Sequence, residues 1–198
     1  MQTHEHHAMS PGYRLPEMSS RNWRLCLVAA VIGLCLSVSE GMAVEKPTDL
    51  EVKAAFVLNF SLFATWEHLA TASEELRIGF FETQIEAAKA FVKVLDGKVV
   101  DRRPVRLIGM KNPEQIEECH IVYFANNEMP RLAEILERAS QNEILTVGET
   151  VEFLKIGGML AFQVENNRVR FLANPSQARK AGIQLSAKLL RLASLVMP

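Results

Sequence analysis

The stretch LTVGETVEFLKIGGMLAFQVENNRVRFLANPSQARKAGIQLSAKLLRLASLV, from Leu145 to Val196, decides how the C-terminal part of this chain folds. Two runs rich in β-forming residues, Met159–Val164 and Arg168–Leu172, flank the dipeptide Asn166-Asn167. Asparagine tolerates the positive φ values that a two-residue hairpin turn requires. The stretch therefore predicts an antiparallel hairpin.

A two-residue turn also fixes which residues of the two strands lie opposite each other, because side chains alternate between the faces of a strand. One face of the predicted hairpin is then apolar and the other is polar. The apolar pairs are Val164 with Val169 and Phe162 with Phe171, and the polar pairs are Gln163 with Arg170 and Glu165 with Arg168.

The residues on either side of the hairpin carry turn and cap signals. Asn174 and Pro175 offer an N-cap and a first helical residue, Gln177 can reach back to the cap, and Gly182 can end that helix. The glycines of Gly157-Gly158 match neither a dinucleotide fingerprint nor a phosphate-binding loop, so they predict a turn and a close approach of neighbouring chain.

Upstream, apolar runs of strand length alternate with runs of helical period, which predicts an α/β fold with a mainly parallel sheet flanked by helices and a C-terminal antiparallel hairpin. Thr48–Glu51 is a capping box for a helix whose apolar stripe is predicted to be Val52, Ala55, Phe56, Phe63 and Trp66. The predicted strands are Leu76–Phe81, Pro104–Ile108, His120–Phe124 and Ile144–Val147. The predicted helices are Ile85–Leu95, Pro113–Glu118 and Pro130–Ala139, and a helical turn is predicted at Glu149–Lys155. The last predicted helix, Gln184–Val196, is expected to be buried.

The first 43 residues predict a secretory signal. Arg21 and Arg24 precede the apolar run Leu25–Val38, which is too short to span a membrane, and Gly41–Ala43 offers the small residues of a cleavage site. Residues 1–17 precede the positive region and are interpreted as an upstream extension. Residues 44–198 are expected to form a single domain of 155 residues in the periplasm.

Three parts of the chain, taken in order, resemble the YfiR-like (HmsC-like) family of small periplasmic bacterial proteins. They are VKAAFVLNFSLFATW (Val52–Trp66), LDGKVVDRRPVRL (Leu95–Leu107), and the LTVG, GGM and VRF–N segments between Leu145 and Ala193. The resemblance implies a secreted α/β domain. It also implies a regulatory role, since the best understood branch of the family represses an inner-membrane diguanylate cyclase by binding that enzyme's periplasmic part.

The residue types that carry catalysis or bind metals are scarce. Cys119 directly precedes His120, the first residue of a predicted strand, and side chains of neighbouring residues in an extended chain point to opposite faces, which prevents a thiolate–imidazolium pair and predicts a buried, inert cysteine. Together with His68 they are too few for a zinc site. Cys26 and Cys35 leave with the signal, so no disulfide within the mature chain is expected. We expect no catalytic residues, metal or cofactor.

Charge argues against two classes of partner. Removing residues 1–43 takes away three basic and three acidic residues, so the net charge stays at −1. A chain without a basic excess is not expected to bind nucleic acid or anionic lipid. No direct membrane insertion is expected after cleavage. A homodimer is left open.

Two residues are candidates for contact with a ligand. Asn59 falls on the predicted apolar stripe of the first helix, where a buried amide must find partners; it is either a structural lock or a ligand contact. Arg170 could bind an anionic ligand, although Gln163, opposite it, and Glu165, opposite Arg168, would also explain the two arginines.

The candidate partner-binding surface is the apolar face of the hairpin. A terminal hairpin tends to lie at the border of a sheet, where one face lacks a covering helix. The alternative is that the helix Gln184–Val196 covers the whole row. The candidate residues are Leu160, Phe162, Val164, Val169 and Phe171.

These features favour a non-catalytic periplasmic regulatory protein. Its expected partner is the periplasmic part of an inner-membrane signalling protein, either a cyclic-di-GMP-synthesising enzyme or a sensor kinase. The alternative is a periplasmic small-molecule binding protein whose ligand lies at the carboxyl ends of the sheet.

Overall fold

A computed structural model describes residues 46–67, 75–125 and 130–197. The predicted signal sequence, its cleavage site and His68 lie outside these residues. The described part of the chain, from Lys46 onward, belongs to one compact unit.

The first half of the chain alternates helices with short strands. Helix α1 (Asp49–Phe63) runs directly into strand β1 (Ala64–Trp66). The following elements are β2 (Leu76–Phe81), α2 (Ile85–Leu95), β3 (Val99–Val100), β4 (Arg103–Met110), a 3-10 turn (Pro113–Glu118) and β5 (Ile121–Tyr123).

The second half continues the alternation and then adds the hairpin. Its elements are α3 (Leu132–Gln141), β6 (Leu145–Gly148), α4 (Val151–Lys155), β7 (Leu160–Glu165), β8 (Arg168–Ala173), α5 (Pro175–Lys180), β9 (Ile183–Leu185), α6 (Ala187–Leu192) and β10 (Leu195–Val196).

One sheet holds eight of the strands, in the order β10-β8-β7-β6-β5-β2-β4-β3. Strands β4, β2, β5, β6 and β7 are mutually parallel, whereas β8 runs antiparallel to β7 and β3 antiparallel to β4. Strands β1 and β9 form a separate antiparallel pair. The prediction of a mainly parallel α/β sheet with a C-terminal antiparallel hairpin is confirmed.

The register of the hairpin is also as predicted. Val164 lies opposite Val169, and the other three pairs follow in step. Asn166 and Asn167 adopt φ values of 50° and 60°. Both turn residues are therefore left-handed, which is the conformation that a two-residue hairpin of this twist requires.

Helix α1 begins at the predicted capping box but buries a different face from the one predicted. Glu51 N donates to Thr48 Oγ1, and Thr48 N donates to the Glu51 carboxylate. The buried apolar residues of the helix are Ala54, Val57 and Phe60. Because apolar residues lie on nearly every side of this helix, their spacing could not determine which side faces the sheet.

The ring of Phe153, on α4, explains two of the glycines. A Cβ atom at Gly148 would lie 2.4 Å from the ring, and one at Gly158 would lie 2.2 Å from it. Both glycines thus make room for one aromatic side chain packed on the sheet. Gly157, at φ 112°, provides the turn before β7.

The predicted last helix, Gln184–Val196, is wrong. Its first residues form β9, which pairs with β1, and its last residues form β10, which pairs in parallel with β8. Between them α6 is capped by Ser186, whose hydroxyl accepts from Leu189 N. The leucines that suggested a buried helix are shared among two strands and a short helix, and Leu192 is exposed.

Candidate functional site

The hairpin extends past the strands on either side of it. Strand β6 pairs with β7 only at Leu160 and Ala161, and β10 pairs with β8 only at Leu172 and Ala173. Residues 162–171 therefore find strand partners only in one another within the described chain, and Phe171 O also accepts from Ser194 N. We call the four residues on each side of the turn centre, 163–170, the hairpin tip.

The five residues predicted to bind a partner divide into two groups. Leu160, Phe162 and Phe171 are buried in the core, so they cannot form an accessible surface, and the prediction is corrected for them. Val164 is 47% exposed and Val169 is half-buried. Only these two, both in the hairpin tip, are open to a partner.

The element that covers the apolar row is α1, not a C-terminal helix. The Phe60 ring lies 5.8 Å from the ring of Phe162 and 5.1 Å from that of Phe171, and Phe56 lies 6.0 Å from both. Such spacing is typical of favourable aromatic packing. Helix α1 thus covers the base of the hairpin; in the tip, Val169 still packs partly against the core, whereas Val164 is exposed.

The opposite face of the hairpin tip is polar and open. Gln163, Glu165, Arg168 and Arg170 are exposed. Neither arginine has an ion-pair partner within 4 Å in the described part of the chain, although Glu165 lies directly across from Arg168. The interpretation that cross-strand partners account for these arginines is therefore not supported for Glu165.

Asn59 is exposed, which contradicts its expected place on the buried stripe. It lines a mainly apolar groove of about 390 Å³ together with Phe56 and Val52. Arg170 neighbours Phe171 on β8, so its side chain points to the face of the sheet away from α1. The structure does not bring Asn59 and Arg170 into one site.

A polar network that the sequence analysis missed lies where β5 and β6 end. Lys53 Nζ, on α1, lies 2.6 Å from Glu149 Oε2, and the Tyr123 hydroxyl donates to the other carboxylate oxygen of Glu149. Burial, followed by the charge of Glu149, raises the pKa of Tyr123. The network occupies the carboxyl edge where a small-molecule site was expected. A lysine within an apolar helix was the signal that could have revealed it.

Cys119 and His120 are both buried, and burial disfavours the charged form of each side chain. Burial raises the pKa of the Cys119 thiol to about 12 and lowers the pKa of His120 to about 4. His120 Nδ1 accepts from Arg77 N at 3.1 Å, while Nε2 has no hydrogen-bond partner within the described chain. The expectation that Cys119 is buried is confirmed.

Two further classes of site are absent from the described residues. They contain no group of three or more His, Cys, Asp or Glu side chains that could hold a metal ion. None of the described helices has the length and apolar character needed to cross a membrane.

Comparison with known proteins identifies one matching family and similar solved structures, two of which are described below. The sequence profile described as YfiR/HmsC-like matches residues 50–194. No curated protein matches the chain.

The first solved structure is a conserved domain protein from Vibrio cholerae O1 biovar El Tor, 9% identical, with a TM-score of 0.52; the match covers 76% of this chain and 60% of that one. The second is an ABC domain in complex with L-Trp from Streptococcus pneumonia, 10% identical, with a TM-score of 0.49 and coverage of 73% and 60%. The first shows a shared fold, and the chain spans about 60% of its length.

Proposed function

Because this chain belongs to the YfiR/HmsC-like family of periplasmic regulatory proteins, we propose that it binds and represses a membrane-bound signalling protein, and that this partner is a diguanylate cyclase. The alternative partner, also a membrane-bound signalling protein, is a sensor kinase with a periplasmic segment. The proposal assigns no catalytic step to the chain itself.

The observation that carries the proposal is the projecting hairpin tip. Val164 and Val169 form a directly opposed apolar pair at a place where neither neighbouring strand continues. The unpaired edges of a strand offer hydrogen-bonding groups with which another chain can pair. We place the contact with the periplasmic part of the partner here.

Deletion of the gene tests the function. Loss of a repressor should raise cellular cyclic di-GMP, and a second deletion, of one inner-membrane diguanylate cyclase with a periplasmic segment, should abolish the rise. An unchanged cyclic-di-GMP level after the first deletion would refute the repression of a diguanylate cyclase.

Substitution at the hairpin tip tests the surface. Val164→Asp should lose repression while the purified protein keeps its circular dichroism spectrum and melting temperature. Val99→Asp is the matched control, because Val99 is 63% exposed on β3 at the opposite border of the sheet. Repression by a folded Val164→Asp protein would remove the tip from the interface.

A second candidate function is small-molecule binding, favoured by the position of Asn59 over an apolar groove. The groove beside α1 offers Phe56 as an apolar wall and the Asn59 amide as a hydrogen-bonding group. A thermal-shift screen of amino acids and nucleotides, repeated with Asn59→Ala, tests it. Stabilisation by the same compound in both proteins would exclude Asn59 as a ligand contact.

A further inference from the structure

Charge is segregated along this chain. Residues 155–198 contain seven basic residues and one acidic residue, Glu165, whereas residues 44–154 contain 12 basic and 19 acidic residues. The near-neutral total thus conceals a basic C-terminal part that includes the whole hairpin. The basic residues are Lys155, Arg168, Arg170, Arg179, Lys180, Lys188 and Arg191.

Many of the basic side chains elsewhere have acidic neighbours. Lys53 pairs with Glu149, and further ion pairs occur at Lys89, Lys93, Arg106, Lys111, Arg131 and Arg138. Within the C-terminal part, Lys155 pairs with Glu152 and Lys180 with Glu137. Arg168 and Arg170 have none within the described chain. Two unpaired guanidinium groups therefore stand two residues apart on one face of β8, a separation of about 7 Å along the strand.

The tip that carries them has a defined shape. Its turn holds both asparagines in the left-handed conformation, and its two strands remain paired up to Glu165 and Arg168. One face presents Val164 and Val169, and the other presents the two arginines together with Gln163 and Glu165. The tip is thus a two-stranded projection with one apolar face and one polar face, whose two arginines and one glutamate give it a net charge of +1.

From this geometry we infer that the hairpin tip binds in a cleft of the partner protein that is apolar on one wall and acidic on the other. Arg168 and Arg170 each pair there with a carboxylate, for which the planar guanidinium is suited. The inference rests on the proposed function for the kind of partner, and it adds the chemistry by which the partner is recognised. Val164 and Val169 face the apolar wall.

The experiment uses the full chain in its own host. A photo-crosslinking amino acid replaces Glu165, which is exposed beside the arginines, and irradiation of living cells should give a discrete adduct with a membrane protein. The adduct should fall at least about tenfold with Arg168→Glu/Arg170→Glu, because reversing both charges places like charges together. Arg102→Glu/Arg179→Glu is the control: it makes the same change in net charge at two other exposed arginines without ion pairs in the described chain.

Support further requires a charge exchange. Replacing acidic residues of the captured segment by lysine should restore the adduct with Arg168→Glu/Arg170→Glu and weaken it with the unchanged chain. Binding of the purified segment should also weaken as salt is raised from about 50 mM to about 500 mM, since exposed charge pairs are screened.

The two proposals fail in different ways. If deletion of the gene leaves cyclic di-GMP unchanged, the proposed repression of a diguanylate cyclase fails, whatever the crosslinks show. If no adduct forms, or if the adduct is indifferent to Arg168→Glu/Arg170→Glu, the acidic cleft is refuted even where repression is real. Arginine-dependent binding to phosphatidylglycerol vesicles, or salt-sensitive self-association through the same residues, would also overturn it.

Discussion

The ring of Phe153 lies where a side chain on Gly158 would have to be: a Cβ atom there would come within 2.2 Å of a ring carbon. Gly148, at the end of β6, meets the same ring at 2.4 Å. Phe153 is fully buried, so it has little freedom to move away. One aromatic residue on α4 thus accounts for two glycines, one at the end of β6 and one just before β7.

Replacement of Gly158 by alanine should therefore destabilise the fold. We expect Gly158→Ala to lower the free energy of unfolding by more than about 2 kcal/mol, because overpacking a closed core forces neighbours from their positions. Urea denaturation measures it. Gly109→Ala is the control, since its Cβ would meet the flexible Glu82 side chain at 3.1 Å and should cost much less.

Stability should depend on His120 in mildly acidic solution. Burial and the charge of Arg77 lower its pKa in the folded protein to about 4, from 6.5 in the unfolded chain. As the pH falls from about 6.5 to 4, the unfolded chain gains a proton that the folded chain does not, so up to about 3 kcal/mol of stability is lost.

The variant His120→Asn tests the origin of that loss. An asparagine oxygen can accept from Arg77 N, as Nδ1 does at 3.1 Å, but it does not titrate. Denaturation at pH 7 and at about pH 4.5 should show a smaller difference for His120→Asn than for the unchanged protein. An equal difference in both would assign the acid sensitivity to other groups.

Removing Lys53 alone from its ion pair with Glu149 should lower the free energy of unfolding more than removing both charges. Lys53→Met leaves the carboxylate of Glu149 largely buried without its cation, and we expect a loss of about 3 kcal/mol. The double variant Lys53→Met/Glu149→Gln should recover much of it, since the neutral amide can still accept from the Tyr123 hydroxyl. Thermal and urea unfolding of the three proteins provide the comparison.

Asn59→Leu should leave stability within about 0.5 kcal/mol of its starting value, because Asn59 is exposed and leucine is the better helix former. One residue further, Phe60→Ala should cost about 3–5 kcal/mol, since its ring is buried against Phe162 and Phe171. The contrast checks which face of α1 is inward. A large loss for Asn59→Leu would contradict the structure.

Local signals in the amino-acid sequence determined most elements of this fold and the pairing within its hairpin. The dipeptide Asn166-Asn167 specifies a two-residue turn, and the turn specifies every cross-strand pair up to Phe162 and Phe171. The boundaries of β2 and α2 follow from apolar period in the same way. These features depend on residues only a few positions apart.

Which apolar surface is covered, and by what, was decided only by the tertiary structure. Helix α1 is apolar on nearly all sides, so its rotation depends on the sheet against which it packs, and that packing exposes Asn59 and buries Phe60. The residues after Gly182 have the composition of a helix. However, β1 and β8 offer free hydrogen-bonding edges, and two segments of this part of the chain, β9 and β10, pair with them as strands. Which side of α1 is buried and which residues become strands depend on contacts between residues far apart in the chain. The free energies of those contacts cannot be inferred from the periodicity of neighbouring residues.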